Sequence, residues 1–435
     1  MLVNKLHDAI LQLGLDKHYL VAFSGGMDSH VLLKLCVMLR QQISLQFTAI
    51  HVHHGISPYA DHWSQHCKKI CDDYQVPLVI QQLAFHCEVG DSLEQQARHQ
   101  RYEMIAASMT SHSVLLTAHH QDDQAETFLL QLMRGAGLKG LSAMPFVKPF
   151  ATGLHARPLL TTKREDLLAF ANEHHLQWIE DESNRNENLS RNYLRHQVLP
   201  LLTAHWPSAQ AMIARSAKHC AEAESVLTDA AQKKMTEVLG SQPNTLSVLK
   251  LKQLDDVEQK RLLRMWIDHQ GYTLPNINKL SAIMTNVLDA APDKQPEVIF
   301  GDAYVRRFRD DLFLLSCEKM NIRARPLHWN LREYLLLPNG KKLLASKTRG
   351  RGLRQSLETV VVRSRQGGET VFLSGRGHRT LKKMFNEWGI LPWEREQIPL
   401  IFLGQQLLAV VGYYYHPEWI VSPHEMGMHL ICEDF

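Results

Sequence analysis

The sequence predicts an α/β protein in which a doubly wound, mostly parallel sheet is followed by a mainly helical domain and then by a small α+β domain. Three observations lead to this prediction. Short strand-like runs alternate with longer helical stretches up to about Leu160. A glycine-rich turn directly follows the first run. Helical spacing dominates after Pro200, and strand-like runs return near the carboxyl end.

The first region contains four runs that are rich in strand-forming residues. They are "HYLVAF", "LQFTAIHV", "PLVIQQL" and "SVLLTA", and the segments between them have helical spacing. Repeated strand and helix alternation produces a parallel sheet with helices on both faces, and ligands bind at the carboxyl ends of its strands. We therefore expect the chemistry to lie where these four runs end.

The remaining chain divides by composition. Two helical segments lead to "VIFGDAYVRRFRDDLFLLS", which resembles a β-hairpin, and the basic stretch after it resembles a linker or an exposed arm. A last module combines four strand-like runs with the amphipathic helix "RTLKKMFNEWG". We predict a first α/β domain over residues 1–205, a mainly helical domain over 206–320, a basic linker or arm over 321–355, and a small α+β domain over 356–435.

Length and composition indicate an ordinary globular protein of several domains. The chain has 435 residues, of which 45% are hydrophobic and 21% charged. Its first residues lack the features of a signal peptide, and no stretch approaches the roughly 18 apolar residues of a membrane span. We expect a cytoplasmic protein.

Seven cysteines indicate reduced thiols rather than a disulfide framework. Two of them, Cys67 and Cys71, follow His62 and His66 at helical spacing. They either belong to an ordinary helix face or hold a metal, and the absence of a CxxC pair favours the helix face.

The net charge of +3 conceals a strong asymmetry. Residues 319–383 contain 16 Lys and Arg but only 3 Asp and Glu, so this stretch carries +13 and the rest of the chain −10. A basic region of this size favours a nucleic acid as partner over a small phosphate, the alternative being a solvated basic face.

The turn at residues 24–29 reads "SGGMDS" and lies between a strand and a helix. Free backbone N–H groups and the positive end of a helix favour phosphate there, and glycines allow close approach. The Walker pattern GxxxxGK[ST] is absent from the chain, so the lysine that addresses the β- and γ-phosphates is missing.

A second motif, "GAGLKG" at residues 135–140, matches GxGxxG but follows a helical run, so we interpret it as a helix cap.

A second constellation follows the run "SVLLTA". His119, Asp123 and Glu126 are spaced i, i+4 and i+7, which predicts a shared helix face, with Asp122 beside them. Such a cluster can hold Mg²⁺, attract a cationic substrate or relay protons. Acidic residues also favour helix N-termini without any catalytic role, but that explanation does not cover the histidine together with Glu126.

Two arginine pairs have the spacing of phosphate ligands. Arg98 and Arg101 lie about one helical turn apart, and Arg191 and Arg195 are spaced i, i+4 downstream of Asp181 and Asn184. Guanidinium groups suit phosphate oxygens, although each pair also fits a surface salt-bridge face.

These motifs together resemble a known family. SGGxDS resembles the PP-loop of the ATP pyrophosphatase superfamily, which cleaves ATP between its α- and β-phosphates. The segments "HVHHGIS", "EQQARHQRYEM", "TAHHQDDQAETFLLQLMRGAG", "GLSAM", "RPLL", "DESNRNENLSRNYLRHQVLPLL" and "LKKMFNEWGILPWEREQIPLIF" occur in the order found in the tRNA(Ile)-lysidine synthetase family. The resemblance spans nearly the whole chain in the long bacterial form.

The resemblance implies a two-step ligation. The C2 oxygen of the wobble cytidine of tRNA(Ile) with a CAU anticodon attacks the α-phosphate of ATP, and pyrophosphate leaves with Mg²⁺. The ε-amine of free lysine then displaces AMP at C2 and forms lysidine, which changes the codon read from AUG to AUA.

The resemblance also assigns roles to domains and residues. It implies that residues 1–205 form the catalytic domain, that residues 206–320 bind tRNA and that residues 356–435 recognise it. Asp28, His119, Asp123 and Glu126 are the catalytic candidates, with Asp28 also the metal candidate; Asp123 and Glu126 would bind lysine, and His119 would transfer a proton or contact phosphate. The candidates for nucleotide binding are Ser24, Gly25, Gly26, Met27, Asp28, Ser29, His54 and Arg98. The candidates for tRNA or phosphate contact are Asn184, Arg191, Arg195, Lys382 and Lys383.

Two other functions are also compatible with the sequence. A tRNA thiolase of the same superfamily adenylates a base and then delivers sulfur, which requires a catalytic cysteine or iron–sulfur ligands. An ATP-gated RNA-binding module without catalysis would rely on the basic carboxyl-terminal region alone.

Overall fold

The computed structural model describes residues 1–53, 55, 57–83, 93–182, 186–291, 294, 296–317 and 325–434. Its described residues divide into two compact units, Met1–Ala230 and Ala231–Phe435. Within the described part of the chain, no helix is long and apolar enough to cross a membrane.

The first unit alternates strands and helices as the sequence predicts. In chain order its elements are α1 (Leu2–Leu13), β1 (His18–Ala22), α2 (Met27–Arg40), β2 (Phe47–His53), α3 (Ala60–Asp73), β3 (Leu78–Gln82), α4 (Leu93–Ala107), β4 (Ser113–Leu116), α5 (Gln121–Met133), α6 (Leu138–Leu141), β5 (Val147–Phe150), β6 (Gly153–Ala156), α7 (Arg164–Glu173), α8 (Ser190–Tyr193), a π-helical turn (Leu194–Val198), α9 (Leu199–His205) and α10 (Ala209–Glu237), which continues into the second unit.

The six strands form one sheet in the order β3-β2-β1-β4-β6-β5. All neighbouring pairs are parallel except β5 and β6, which form an antiparallel edge. The buried side chains of β1 alternate between the faces. Tyr19 and Val21 pack into a core with α1, α2 and α7, whereas Leu20 packs on the other face with Ile105 of α4. Helices therefore cover both faces, and the doubly wound prediction is confirmed.

The second unit mixes helices with antiparallel strands. After α10 come β7 (Leu246–Ser247), α11 (Val248–Leu251), α12 (Asp256–His269), α13 (Ile277–Ala282), a second π-helical turn (Ile283–Leu288), β8 (Glu297–Phe300), β9 (Ala303–Phe308) and β10 (Asp311–Ser316). The strands form a four-stranded sheet, β7-β10-β9-β8, that shares one core with these helices. The predicted hairpin is thus a three-stranded meander, and β7 joins it as a fourth strand.

The carboxyl-terminal part is dominated by strands. It contains β11 (Leu327–Asn330), β12 (Leu335–Leu336), β13 (Lys341–Arg349), β14 (Leu353–Arg354), β15 (Thr359–Arg363), β16 (Thr370–Leu373), β17 (Gly377–Thr380), α14 (Leu381–Glu387), β18 (Leu400–Leu403), β19 (Gln406–Val410), β20 (Tyr414–Tyr415) and β21 (Met426–Asp434). Their sheets follow the orders β11-β15-β18-β19-β20, β12-β13-β21-β14 and β16-β17.

The predicted basic arm over residues 321–355 is not an arm where the structure describes it. Strand β13 pairs along its whole length with β21, and Leu343 of β13 is fully buried in the same core as Trp329 and Leu353. The packed residues Leu343 and Ala345 lie in the middle of β13, and its basic residues lie towards the two ends of the strand. Its partner strand lies about 80 residues later in the chain, so local composition alone resembled a linker.

Candidate active site

The glycine turn after β1 has a backbone conformation that strongly favours glycine. Gly25 has φ +83°, and its carbonyl accepts a hydrogen bond of 3.0 Å from the N–H of Ile179. A Cβ at this position would lie 3.2 Å from Cys67 Sγ and 3.2 Å from Ile179 Cδ1. The turn is therefore held in one shape against α3 and the segment that carries Ile179.

Hydrogen bonds within the turn arrange the start of α2. The hydroxyl of Ser29 donates to the carbonyl of Gly26 at 2.9 Å, and Ser29 Oγ accepts from the N–H of Ser24 at 3.3 Å. Gly26 is the residue before the helix, and no side chain of a described residue caps it. The first N–H groups of α2 are therefore available for an anion, while the side chain of Met27 packs into the core.

Asp28 lies in the first turn of α2 with one oxygen that lacks a partner. Its Oδ1 is buried and makes no hydrogen bond to any described residue, while Oδ2 lies 3.7 Å from Nε2 of His120. Mg²⁺ commonly takes one or two carboxylates together with substrate phosphates. An unpaired carboxylate oxygen beside an anion-binding turn fits this ligand set, although no group of three potential metal-ligating side chains occurs among the described residues.

His120 is a functional candidate that the sequence prediction missed. It is 2% exposed, and its ring nitrogens lie 3.4–3.7 Å from the carboxylates of Asp28, Asp122 and Asp123. Burial by itself disfavours the charged ring, but Asp122, Asp28 and Asp123 overcome it and raise the pKa of His120 to about 10. His120 is therefore a buried imidazolium next to the turn.

The start of α5 places His120 among the carboxylates of Asp28, Asp122 and Asp123. The helix begins at Gln121, and the N–H of His120 donates to Asp123 Oδ2 at 2.9 Å. His119 precedes the helix and so lies outside the helical face of Asp123 and Glu126, but its ring is close enough to Asp123 for the two groups to shift each other's pKa. Asp123 and Glu126 themselves both lie on α5 and are buried.

His119 lies at the end of β4 as a neutral ring. Burial lowers its pKa to about 4; Asp123 opposes this, and Arg157, Arg191 and Arg98 reinforce it. Its Nδ1 lies 2.7 Å from the hydroxyl oxygen of Thr117. Since β4 is the direct neighbour of β1, His119 and the glycine turn occupy the same edge of the sheet.

Glu126 and Asp123 are paired with Arg191 and Arg195. Glu126 is 1% exposed and accepts from Arg191 Nε at 2.7 Å, from Arg195 Nε at 2.6 Å and from Arg195 Nη2 at 3.0 Å. Asp123 Oδ1 accepts from Arg191 Nη2 at 3.0 Å and from Arg195 Nη2 at 3.3 Å. Two acids and two bases thus form a compact cluster of zero net charge.

The charged groups of this cluster shift one another's pKa. Burial opposes ionisation of Asp123, but His120, Arg191 and His119 lower its pKa below the ordinary value. Burial likewise opposes the charge on the two arginines, and the carboxylates of Asp123 and Glu126 raise their pKa. Asp123 and both arginines are therefore ionised near neutral pH.

The two arginines lie on either side of a change in helix winding. Arg191 belongs to α8, and Arg195 belongs to the π-helical turn Leu194–Val198. A π-helical turn is uncommon and is often found at functional sites. The sequence places both arginines on one face by i, i+4 spacing, and the structure brings that face to α5.

The other predicted site residues lie in different elements of the structure or outside its described residues. Arg98 is exposed, stacks over the ring of Tyr102 at 5.4 Å, and lies close enough to His119 to lower its pKa. Lys382 and Lys383 are exposed on α14 in the second unit. His54 and Asn184 lie outside the described residues.

The thiols near the turn are inert. Cys36, Cys67 and Cys71 are buried, and burial raises the pKa of each to about 12. Cys67 also lies 3.5 Å from Nδ1 of His51. No group of three potential metal ligands forms where the structure describes these residues, so the ordinary helix face is the better interpretation of this segment.

The second glycine motif caps a helix, as the sequence indicates. Helix α5 ends at Met133, and Gly135 adopts φ +68°. The N–H of Ala136 donates to the carbonyl of Gln131 at 3.0 Å, which closes the helix end. This motif therefore has a structural role.

Comparison with known proteins gives matches along nearly the whole chain. Family models match residues 3–202 as a PP-loop domain, 246–313 as a TilS substrate binding domain and 360–432 as a TilS substrate C-terminal domain. A tRNA(Ile)-lysidine synthase from Coxiella burnetii is 40% identical over 94% of this chain and 92% of its own length, and one from Serratia proteamaculans is 42% identical over 93% and 92%. The solved structure of a U34-tRNA thiolase from Methanococcus maripaludis has a TM-score of 0.44 and 18% identity, and covers 51% of this chain and 78% of its own.

Proposed function

The chain belongs to the tRNA(Ile)-lysidine synthase family, and from this premise we propose that it forms lysidine in tRNA(Ile) at the expense of ATP. The observation that carries the proposal is one sheet edge where three features meet. These are the glycine turn with the unpaired Asp28 oxygen, the buried His120 imidazolium, and the cluster of Asp123 and Glu126 with two arginines.

In the first proposed step, the C2 oxygen of the wobble cytidine attacks the α-phosphate of ATP. The bond between the α-phosphorus and the bridging oxygen breaks, and pyrophosphate leaves. Negative charge grows on pyrophosphate, so the N–H groups at the start of α2 and the hydroxyl of Ser24 stabilise the departing group. His120 adds a fixed positive charge beside this turn.

Asp28 is the residue that would hold Mg²⁺, through the carboxylate oxygen that has no other partner among the described residues. The metal would supply positive charge to the phosphate oxygens when it is bound. Asp28 and His120 also fix each other's position, since Oδ2 of the one lies 3.7 Å from Nε2 of the other.

In the second proposed step, the ε-amine of lysine attacks C2, the C2–O bond to AMP breaks, and the amine loses a proton. Free lysine carries two ammonium groups and one carboxylate, and the cluster of Asp123, Glu126, Arg191 and Arg195 offers partners for both signs of charge. Arg195 is 33% exposed, against 23% for Arg191, which makes it the arginine that can turn away more easily and admit an ammonium group.

The tRNA requires contacts beyond this site. We propose that the basic stretch of residues 319–383 binds tRNA phosphates, with Lys382 and Lys383 exposed on α14 among the contacts. The domain assignments of the sequence prediction extend this proposal: residues 1–205 catalyse, 206–320 bind tRNA, and 356–435 recognise it.

The structure favours ligation over sulfur transfer. The thiols nearest the glycine turn are buried with pKa values of about 12, which is unsuited to a nucleophile at neutral pH. A binding function without catalysis would not explain why carboxylates and an imidazolium lie together at the turn.

The test follows three products together. The protein is incubated with α-labelled ATP, labelled lysine and transcribed tRNA(Ile) with a CAU anticodon, and AMP, pyrophosphate and lysine in the RNA are measured. Equal amounts of AMP and tRNA-bound lysine support the proposal. AMP without lysine in the RNA refutes it in favour of another adenylating enzyme, and an absence of ATP cleavage favours the binding module.

A further inference from the structure

We infer that Thr117, His155 and Arg157 form a hydrogen-bond chain that holds His119 as a neutral ring with its proton on Nε2. His119 then serves the reaction as a hydrogen-bond donor and not as the base that accepts a proton from lysine. This inference deepens the proposed function and rests on it. The three residues of the chain act through His119, so they are positioning residues.

The hydrogen-bond chain begins at Arg157, whose guanidinium can only donate hydrogen bonds. Arg157 is 4% exposed, and its Nη1 donates to the carbonyl of Pro145 at 2.8 Å, which fixes the guanidinium. Its Nη2 lies 3.2 Å from Nδ1 of His155. A guanidinium has five N–H donors and no acceptor, so Nδ1 of His155 must be the unprotonated nitrogen.

His155 therefore carries its proton on Nε2. The ring is 1% exposed and lies against Tyr102 and Phe150, with centroid distances of 5.7 and 5.9 Å. Burial, with the nearby charge of Arg157, lowers the pKa of His155 to about 2, so the ring is neutral. Its Nε2 lies 2.9 Å from the hydroxyl oxygen of Thr117 and donates to it.

The hydroxyl of Thr117 determines which ring nitrogen of His119 carries the proton. Thr117 is 7% exposed, and its Oγ1 has two neighbours among the described residues, Nε2 of His155 and Nδ1 of His119. Since the first neighbour donates, the hydroxyl proton has one acceptor available there, which is Nδ1 of His119 at 2.7 Å. A proton on Nδ1 would instead leave the buried hydroxyl hydrogen without an acceptor.

His119 is then left with an N–H at Nε2, the nitrogen that makes no hydrogen bond to a described residue. Its side chain is partly exposed at the carboxyl end of β4, next to the glycine turn. A neutral N–H donor at that edge suits a phosphate oxygen or the oxygen of departing AMP. A base would need a free lone pair there, and the chain places that lone pair on the inner nitrogen.

The direct test is the tautomer of His119. The full chain is labelled with ¹⁵N-histidine, and long-range ¹H–¹⁵N spectra distinguish protonated from unprotonated ring nitrogens; the His119→Asn variant assigns the signals. We expect Nδ1 of His119 to be unprotonated and Nε2 protonated at neutral pH. A proton on Nδ1 in the wild-type protein overturns the inference.

Two variants of one residue test the chain. Thr117→Ser keeps the hydroxyl and should keep both the tautomer and the activity, whereas Thr117→Val has nearly the same shape and should produce a mixture of tautomers. Loss of an orienting partner should lower the rate of AMP formation by roughly ten- to a hundredfold, the range seen for outer partners of metal-bound histidines, with little change in the KM for tRNA. Equal spectra and equal rates for Ser and Val refute the chain.

The readouts separate this inference from the proposed function. If wild-type protein shows the expected tautomer but forms no lysidine, the proposed function is refuted and the hydrogen-bond chain is supported. If it forms lysidine with the other tautomer, the hydrogen-bond chain is refuted and the proposed function is supported. Should Thr117→Val not fold, the wild-type spectrum still decides the tautomer.

Discussion

Replacing Glu126 with Gln tests whether the buried charge cluster stabilises the first unit. Glu126 is 1% exposed and accepts three N–H groups from two arginines. Glutamine keeps the size but removes the charge, so Arg191 and Arg195 would share the single carboxylate of Asp123. The amide group of the introduced glutamine would also direct its own N–H donors at one guanidinium.

The expected loss follows from these contacts. Removing one partner of a buried ion pair costs about 3–5 kcal/mol. The arginine side chains are 23% and 33% exposed, so water compensates part of the loss and the lower figure, about 3 kcal/mol, applies. For a unit of about this size, each kcal/mol lowers Tm by roughly 2–4 °C, so we expect a fall of about 6–12 °C.

Calorimetry of the full chain measures this fall, and hydrogen exchange of peptides from α5 assigns it to the first unit. Glu173→Gln is the matched control, because Glu173 is exposed at the end of α7 and should change stability by less than about 0.5 kcal/mol. If Glu126→Gln unfolds at the same temperature as the control, the cluster contributes nothing to stability and the reasoning fails.

Four further predictions concern other parts of the molecule. Asp28→Asn should lower the rate of AMP formation by about 10²–10³-fold with little change in Tm, and unchanged turnover would exclude Asp28 from the phosphate site. Gly25→Ala should destabilise by about 1–2 kcal/mol in urea unfolding, because its φ is +83° and Cys67 Sγ would lie 3.2 Å from the new Cβ. Because folding raises the pKa of His120 from 6.5 to about 10, its stabilisation is complete below pH 6.5 and disappears as the pH rises through 10; the His120→Asn variant should lack this slope in urea unfolding. Changing both Lys382 and Lys383 to Ala should weaken tRNA binding and flatten its salt dependence by about 0.9 for each phosphate that is no longer neutralised, whereas an unchanged slope would place the tRNA elsewhere.

The fold of the first unit was accessible from sequence because its signals are local. The turn at residues 24–29 is marked by adjacent glycines between a strand and a helix, and the four predicted strands correspond to β1, β2, β3 and β4. The antiparallel β5–β6 edge was missed, since each strand has only four residues, Pro149 lies within β5 and Gly153 begins β6. The strands within residues 321–355 were missed because β13 depends on a partner at the end of the chain.

The site was only partly accessible for a related reason. The sequence places Asp123, Glu126, Arg191 and Arg195 among the functional candidates, but their pairing spans more than 60 residues and is set by tertiary packing. His120 was missed because its role depends on where α5 begins, and a shift of one residue moves a side chain to another face. Two adjacent histidines before an acidic helix are the signal that could have identified both His119 and His120.

A pulse-chase experiment tests the central claim most directly. The protein is first incubated with α-labelled ATP and tRNA(Ile) with a CAU anticodon without lysine, and unlabelled lysine is then added. The proposed mechanism predicts that the label first becomes attached to the tRNA and is then released as AMP when lysine enters the RNA one for one. Label that never joins the tRNA, or that stays on it after lysine is added, would contradict the mechanism.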